Sequence, residues 1–151
     1  MKPRQLLATV VLTMLAAAVV FTLPAIAAPQ PLGTLKATLT TAKPGPGDPD
    51  GHGNAMIKVY KTKVCYKISV MGIKPATMAH IHQGAKGQTG DIVVPTDQSS
   101  FNLPRPTSSG CEAIPSSLSM KLRQNPSNYS VNVHNKPYPD GAIRGQLRKG
   151  M

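Results

Sequence analysis

Three of the four histidines occupy positions from which they could bind one metal ion. His80 and His82 flank Ile81 in a segment with strand-like alternation, and His134 ends a second such segment that also contains Val133. Side chains at i and i+2 of a strand share a face about 6.6–6.8 Å apart, so two imidazoles can reach one ion. The alternation predicts that all three histidines face outward, while Ile81 and Val133 face the core.

The same histidines have a simpler interpretation. His80 and His82 could do no more than hydrogen-bond the backbone of the glycine-rich segment 84–90. If they bind a metal, three neutral imidazoles suit copper or zinc, and the affinity order favours copper. His52 is a candidate fourth ligand if the loop 50–53 folds over the site. The cofactor prediction is therefore either none or one copper ion.

Arg144 is the candidate anion-binding residue. In the predicted C-terminal hairpin, Ile143 and Gly145 share one face, so Arg144 lies on the other face, near His134. It could attract an anion to a metal site, pair with Asp140, or donate to backbone carbonyls. The sequence leaves all three roles open.

No catalytic machinery is recognisable in the sequence. It contains no signature of a Ser-His-Asp triad, a paired-carboxylate site, a phosphate-binding loop or a dinucleotide-binding turn. Hydrolase, kinase and dehydrogenase functions therefore have no residues to support them. We expect a protein that acts by binding, with no catalytic residues to assign.

Short strands between glycines and prolines must position these side chains. Only Ser116–Gln124 has helical spacing, with Leu118 and Leu122 four residues apart. Segments 44–51 and 104–110 are predicted surface loops. The predicted strands are residues 34–41, 54–62, 64–70, 77–82, 91–94, 129–134 and 142–147. The pattern predicts an all-β, antiparallel sandwich or barrel with one short helix.

The segment 1–27 has the organisation of a secretory signal peptide. Two cations precede an apolar stretch over 6–23, and Pro24 leads into a small-residue cleavage site ending at Ala27. A membrane anchor is the alternative, because the stretch approaches spanning length, but the proline and small residues favour cleavage. We expect residues 28–151 to form one secreted domain without a membrane span.

The charge predicts an anionic partner. The formal net charge is +11, of which Lys2 and Arg4 contribute two, so the segment after the signal peptide carries +9. Acidic envelope or matrix polymers, anionic headgroups or a small anion are the candidate partners, and solubility alone is the alternative. Nucleic acid is not expected, because of export and because no basic stretch is interleaved with stacking aromatics. We expect a monomer.

The only two cysteines, Cys65 and Cys111, are predicted to form a disulfide. An oxidising compartment favours a disulfide over two free thiols. A metal-binding pair is the alternative, but neither cysteine has a second Cys or His beside it at ligand spacing.

Two distant blocks resemble the chordin-type CHRD domain in its bacterial secreted form. The first is AHIHQGAKGQTG at 79–90, and the second joins YSVNVH at 129–134 to YPDGAIRGQL at 138–147. The resemblance covers nearly all of residues 32–148. It implies an immunoglobulin-like β-barrel distantly similar to Cu,Zn superoxide dismutase, with no established biochemical activity. In chordin, such repeats belong to an extracellular protein that binds growth factors.

The dismutase similarity implies a sharper role for the histidines. Those enzymes carry a His-x-His pair on one strand and a further histidine on a later strand, so His80, His82 and His134 resemble three of four copper ligands. No histidine lies between His82 and His134, so the bridging ligand and the zinc loop have no counterpart. Two functions follow: a non-catalytic extracytoplasmic binding module or, alternatively, a copper-handling or weakly dismutating protein.

Overall fold

Alternating burial along the chain builds the β-layers of the protein. In the computed structural model, which describes residues 27–96 and 107–150, strand β2 buries every second residue and exposes the others. The strands are β1 (Gly33–Thr41), β2 (His52–Val59), β3 (Lys63–Met71), β4 (Ala76–Gln83), β5 (Ile92–Pro95), β6 (Thr107–Ala113), β7 (Tyr129–Asn135), β8 (Ile143–Gln146) and β9 (Arg148–Lys149).

The strands pair in the order β5-β4-β7-β8-β1-β2-β3-β6, with β9 beside β1, and every pairing is antiparallel. Strand β1 belongs to both layers, because its first seven residues pair with β2 and its last two, Thr40 and Thr41, pair with β8. We call the layer that contains β2, β3 and β6 the first sheet and the layer that contains β4, β5 and β7 the second sheet. This nearly closed, all-β sandwich with one helix confirms the predicted fold class.

The core lies between the two sheets. Leu35 and Ile57 of the first sheet and Ile81, Val131 and Val133 of the second belong to one apolar cluster. All five are at most 2 % exposed, so the predicted inward direction of Ile81 and Val133 is confirmed. This packing fixes which face of β4 and β7 carries the polar residues.

Helix α1 spans Ser116–Gln124, as predicted. Ser116 is its first helical residue, and the N-cap position is occupied by Pro115, with no capping side chain. Asn125 follows as the C-cap, and Pro126 begins a short 3₁₀ turn. The helix packs Leu122 into the core with no exposed surface.

Two strands were missed by the sequence analysis. The prediction of a loop over 104–110 was wrong for residues 107–110, which belong to β6 and pair with β3. Serine and glycine dominate this part of β6, so it lacks an apolar alternation, and backbone pairing to a neighbouring strand decides its conformation. Strand β9 has two residues, too few to leave a pattern.

The predicted disulfide joins β3 to β6. Cys65 and Cys111 lie directly opposite each other in the ladder, with Cα atoms 4.0 Å apart and a sulfur–sulfur bond between them. Almost all of the predicted signal peptide, residues 1–26, lies outside the described residues. Within residues 27–96 and 107–150, no helix is long and apolar enough to span a bilayer.

Candidate metal centre

Strands β4 and β7 bring the three predicted ligands together. The ladder places His80 opposite Asn132 and His134 opposite Met78, so the histidines lie on the face of the second sheet that points away from the core. The ring centroids of His80, His82 and His134 are 5.0 to 6.4 Å apart. One nitrogen of each ring lies within 4.8 Å of the others.

Backbone carbonyls orient two of the three rings. Nδ1 of His82 donates to the Gly90 carbonyl at 2.9 Å, and Nδ1 of His134 donates to the Pro139 carbonyl at 2.7 Å. In both rings the proton is then on Nδ1. Nε2 of His82 has no partner, whereas Nε2 of His134 accepts from Nδ1 of His80 and from Nδ2 of Asn132, each at 3.2 Å. A remote N–H held by a carbonyl is the arrangement that typically orients metal-binding histidines.

The donor set fits one transition-metal ion. Two nitrogens bound to the same ion at about 2.0–2.1 Å are separated by at most about 4.2 Å. Nδ1 of His80 lies 3.2 Å from Nε2 of His134, within that limit, and donates to it, so a metal ion would displace that proton. The ligand nitrogens of the whole group lie within 4.8 Å of one another. Nε2 of His82 is buried without a hydrogen-bond partner, which costs about 1–3 kcal/mol unless a ligand occupies it.

Two loops bury the histidines on the outward face of the second sheet. They lie on the predicted face, but His80, His82 and His134 are only 6–7 % exposed. Two connections cover them: the 84–91 loop between β4 and β5, and the 136–142 loop between β7 and β8. Because of this cover, every residue of β7 is buried, on both of its faces.

Burial favours the neutral form of His80 and His134. The pKa of His80 is lowered from 6.5 to about 4, chiefly because burial disfavours the charged ring and also because His134 and His82 lie nearby. Burial also lowers the pKa of His134, against the opposing effect of its hydrogen bond to Pro139. Neutral rings suit metal binding, because a proton on the ligand nitrogen excludes the ion.

Asn132 is a site residue that the sequence analysis missed. It has no exposed surface, and its Nδ2 lies 3.2 Å from Nε2 of His134 and donates to the Asp140 carbonyl at 3.1 Å. Its position opposite His80 on β4 and Arg144 on β8 makes it the centre of a polar row across the second sheet. The sequence signal for Asn132 was the alternation along β7, which places Asn132 on the same face of the strand as His134.

Arg144 bonds to the loop that covers the histidines. Its Nη1 donates to the Gln88 carbonyl at 3.2 Å and to Thr89 Oγ1 at 3.3 Å. Of its three predicted roles, donation to a carbonyl is observed. The described residues show no ion pair with Asp140. Burial lowers the pKa of the Arg144 guanidinium.

His52 lies outside the converging group. It is the first residue of β2, and its side chain is exposed. Nδ1 of His52 lies 3.1 Å from the carbonyl oxygen of Asp50. The group of described residues with metal-ligand spacing contains His80, His82 and His134.

The fold and this site define a small, disulfide-linked β-sandwich with a buried three-histidine cluster on its second sheet. The family model of the CHRD domain matches residues 35–147, about three quarters of the chain. The chain therefore belongs to the CHRD domain family, as the two sequence blocks implied. A search of curated proteins finds no match.

Proposed function

We propose that this CHRD domain is an extracytoplasmic binding protein that holds one copper ion through His80, His82 and His134. The observation that carries the proposal is the convergence of three imidazoles, two of them oriented by backbone carbonyls. The disulfide and the membership of a family of extracellular-type domains support a location outside the cytoplasm.

The donor set favours copper over the other divalent ions. Imidazole binds zinc and copper well, and copper stands above zinc in the affinity order of first-row divalent metals. No cysteine or carboxylate joins the three histidines in the group found among the described residues, so hard ions such as calcium and magnesium lack the oxygen ligands they need. A single ligand group supports one ion per chain.

Binding or storage fits the site better than turnover. The three side chains are 6–7 % exposed beneath two loops, which restricts a second reactant more than it restricts a metal ion. The proposal is therefore for copper handling, without a catalytic role.

Calorimetric titration of the exported protein, stripped of metal, tests the proposal. We expect one Cu²⁺ per chain with a Kd below about 10 µM, and weaker binding of Zn²⁺. His82→Gln should weaken copper binding at least about tenfold, as loss of one ligand does, while the control His52→Gln changes the same residue type outside the cluster and should have no effect. Absence of saturable binding, or an unchanged affinity in His82→Gln, would contradict the proposal.

The outer face of the first sheet supports a second candidate function, binding of an anionic envelope or matrix polymer. In the strand register, Lys36 of β1 lies opposite Arg148 of β9 on one side and opposite Met56 of β2 on the other. Met56 in turn lies opposite Lys67 of β3. At about 4.8 Å per strand, this row places three cations over roughly 14 Å. The row lines an open cavity of about 270 Å³, a shape that suits a linear acidic chain.

A further inference from the structure

A cationic cleft lies beside the histidine cluster, separated from it by Asn132 and Arg144. The row across the second sheet runs from His80 through Asn132 and Arg144 to Thr40 on β1, and the cleft opens at the Thr40 end. Its volume is about 300 Å³. Its polar lining includes Thr40, Thr41, Lys43, Lys86, Arg144 and Gln146.

The charges in the cleft are not balanced by the protein. The lining contains three cations, Lys43, Lys86 and Arg144, and no carboxylate among the described residues. The two lysines are exposed, and Lys43 makes one long hydrogen bond, 3.4 Å, to the Gly45 carbonyl. Three like charges around one small volume repel each other unless an anion lies between them.

Arg144 is the strongest sign of a missing anion. Its side chain is only 9 % exposed, yet within the described part of the chain it forms no ion pair. Both of its hydrogen bonds come from Nη1, and Nε is buried without a partner. Nη2 makes no bond to the described residues and is the donor that remains for an anion in the cleft, because Nε has almost no accessible surface. A buried cation without a counter-charge is costly.

We infer that the cleft is a binding site for a small oxyanion, a phosphate or carboxylate group held by Arg144, Lys43 and Lys86. Nη2 of Arg144 and the two lysines, which come from separate loops, are the cationic donors, and Thr40 and Thr41 line the same cleft. The site differs in ligand and in residues from the proposed copper site.

Titration of the metal-free protein with inorganic phosphate, at constant ionic strength maintained with chloride, tests this inference. Backbone amide NMR shifts report the site, and we expect saturable shifts at Gly87 and Gly145, which line the cleft. The expected Kd is about 1 mM or tighter. Parallel titrations with glycerol phosphate and acetate separate a preference for phosphate from one for carboxylate.

Charge variants distinguish phosphate binding in this cleft from attraction by the net positive charge of the protein. Lys43→Ala and Lys86→Ala should each weaken phosphate binding about two- to fivefold, as the loss of one exposed charge does. Lys67→Ala is the matched control: it removes the same charge from the outer face of the first sheet and should leave the affinity unchanged. Arg144→Lys keeps the charge without the guanidinium donors and should weaken binding further. If Arg144→Lys does not fold, the comparison of Lys43→Ala and Lys86→Ala with the control Lys67→Ala decides the test.

The outcomes are independent of the copper proposal. His80→Gln, which removes a proposed copper ligand that makes no bond to the 84–91 loop, should bind phosphate with unchanged affinity. Loss of copper binding with intact phosphate binding would leave this inference standing. Absence of saturable shifts, or an equal loss of affinity in Lys67→Ala and Lys86→Ala, would overturn it.

Discussion

His82 and His134 each use Nδ1 to hold a loop, and their Nε2 atoms lie towards the histidine cluster, where only Nε2 of His82 has no partner. Their Nδ1 atoms tie the 84–91 and 136–142 loops to the second sheet, through the carbonyls of Gly90 and Pro139. The simpler sequence interpretation, that histidines bond loop backbone, therefore holds for His82. It does not exclude metal binding, because the same bond directs Nε2 towards the other two rings.

The depressed pKa of His80 predicts an acid-sensitive fold for the metal-free protein. The pKa is about 4 in the folded chain and 6.5 in the unfolded chain, so between these values the unfolded state binds more protons. The free energy of unfolding should therefore be at its full value above pH 6.5 and fall towards pH 4, by up to about 1.4 kcal/mol per pH unit from this group. Burial of His134 acts in the same direction.

Urea unfolding at a series of pH values between 4 and 7.5 measures this dependence. His80→Gln removes the titrating group and should flatten the curve, whereas the exposed His52→Gln should not. A free energy of unfolding that stays constant, or increases, as the pH falls through this range would show that His80 is not held in its neutral form.

Asn132 should matter more to stability than strand alternation alone suggests. Alternation assigns it to an outward, tolerant face, yet it is fully buried and bonds to Asp140. Asn132→Ala should therefore lower the free energy of unfolding by about 1–3 kcal/mol, because it empties part of a fully buried position and removes the bond to the Asp140 carbonyl. The core substitution Ile81→Ala should lower it by about 2–4 kcal/mol. In thermal or urea unfolding, the exposed control Asn54→Ala should change it by less than about 0.5 kcal/mol.

At the scale of elements, the 84–91 loop is what converts a polar strand face into an enclosed site. Three side chains of the second sheet hold it: His82, Arg144 and Gln146, whose Nε2 donates to the Gly84 carbonyl at 2.7 Å. The loop returns at Gly90, where a Cβ atom would collide with the carbonyl oxygen of Gln83. The loop therefore needs glycine there for a close backbone approach.

Gly90→Ala should disturb the metal site without touching a ligand. The added methyl group must push the loop away from β4, which moves the Gly90 carbonyl from Nδ1 of His82. Copper affinity should fall about 10- to 100-fold, as with other losses of an orienting partner. Calorimetric titration measures it, with the exposed loop residue Lys86→Ala as control. Equal copper affinities in wild type and Gly90→Ala would show that the carbonyl does not orient His82.

The disulfide should stabilise the edge of the first sheet. It joins β3 to β6 across a separation of 46 residues, and closing a loop of that length contributes roughly 4 kcal/mol in the chain-entropy model. Reduction should therefore lower the melting temperature. Thiol titration of the unfolded, unreduced protein should find no free thiol. Two thiols per chain, or an unchanged melting temperature after reduction, would contradict this expectation.

At the scale of the whole molecule, the two sheets carry different kinds of positive charge. The outer face of the first sheet presents a row that contains Lys36, Lys67 and Arg148, whereas the second sheet places the buried Arg144 beside the exposed Lys86. A row of cations across several strands suits a long acidic polymer, and a buried guanidinium beside a lysine suits a small anion. The net charge alone does not distinguish these two ligands.

Binding to an acidic polysaccharide such as alginate should depend on the row of cations on the first sheet. Lys67→Ala should weaken retention on immobilised alginate, and increasing salt should weaken the binding of the wild type, because exposed charges are screened. Lys86→Ala removes the same charge from the second sheet and should retain the wild-type elution. Identical elution of the two variants would mean that net charge alone causes retention.

The sequence by itself determined the features that depend on local pattern. Alternation predicted the fold class and the core positions Ile81 and Val133, helical spacing predicted Ser116–Gln124, and the presence of only two cysteines predicted their pairing. The histidine triad was also predictable, because two strands with known faces limit where their side chains can lie. These signals are strong because strands repeat every two residues, helices have a characteristic spacing, and two cysteines can form only one pair.

Only the tertiary structure determined which side chains are buried and which groups they contact. Alternation tells which face a side chain takes, but not whether a loop covers that face, so the burial of the histidines and Asn132 could not be predicted. Strand β6 depends on pairing with a strand some 40 residues earlier, which leaves no local signal. The burial of Arg144 without an ion pair likewise follows from where the 84–91 loop packs, because burial is set by all neighbouring elements together.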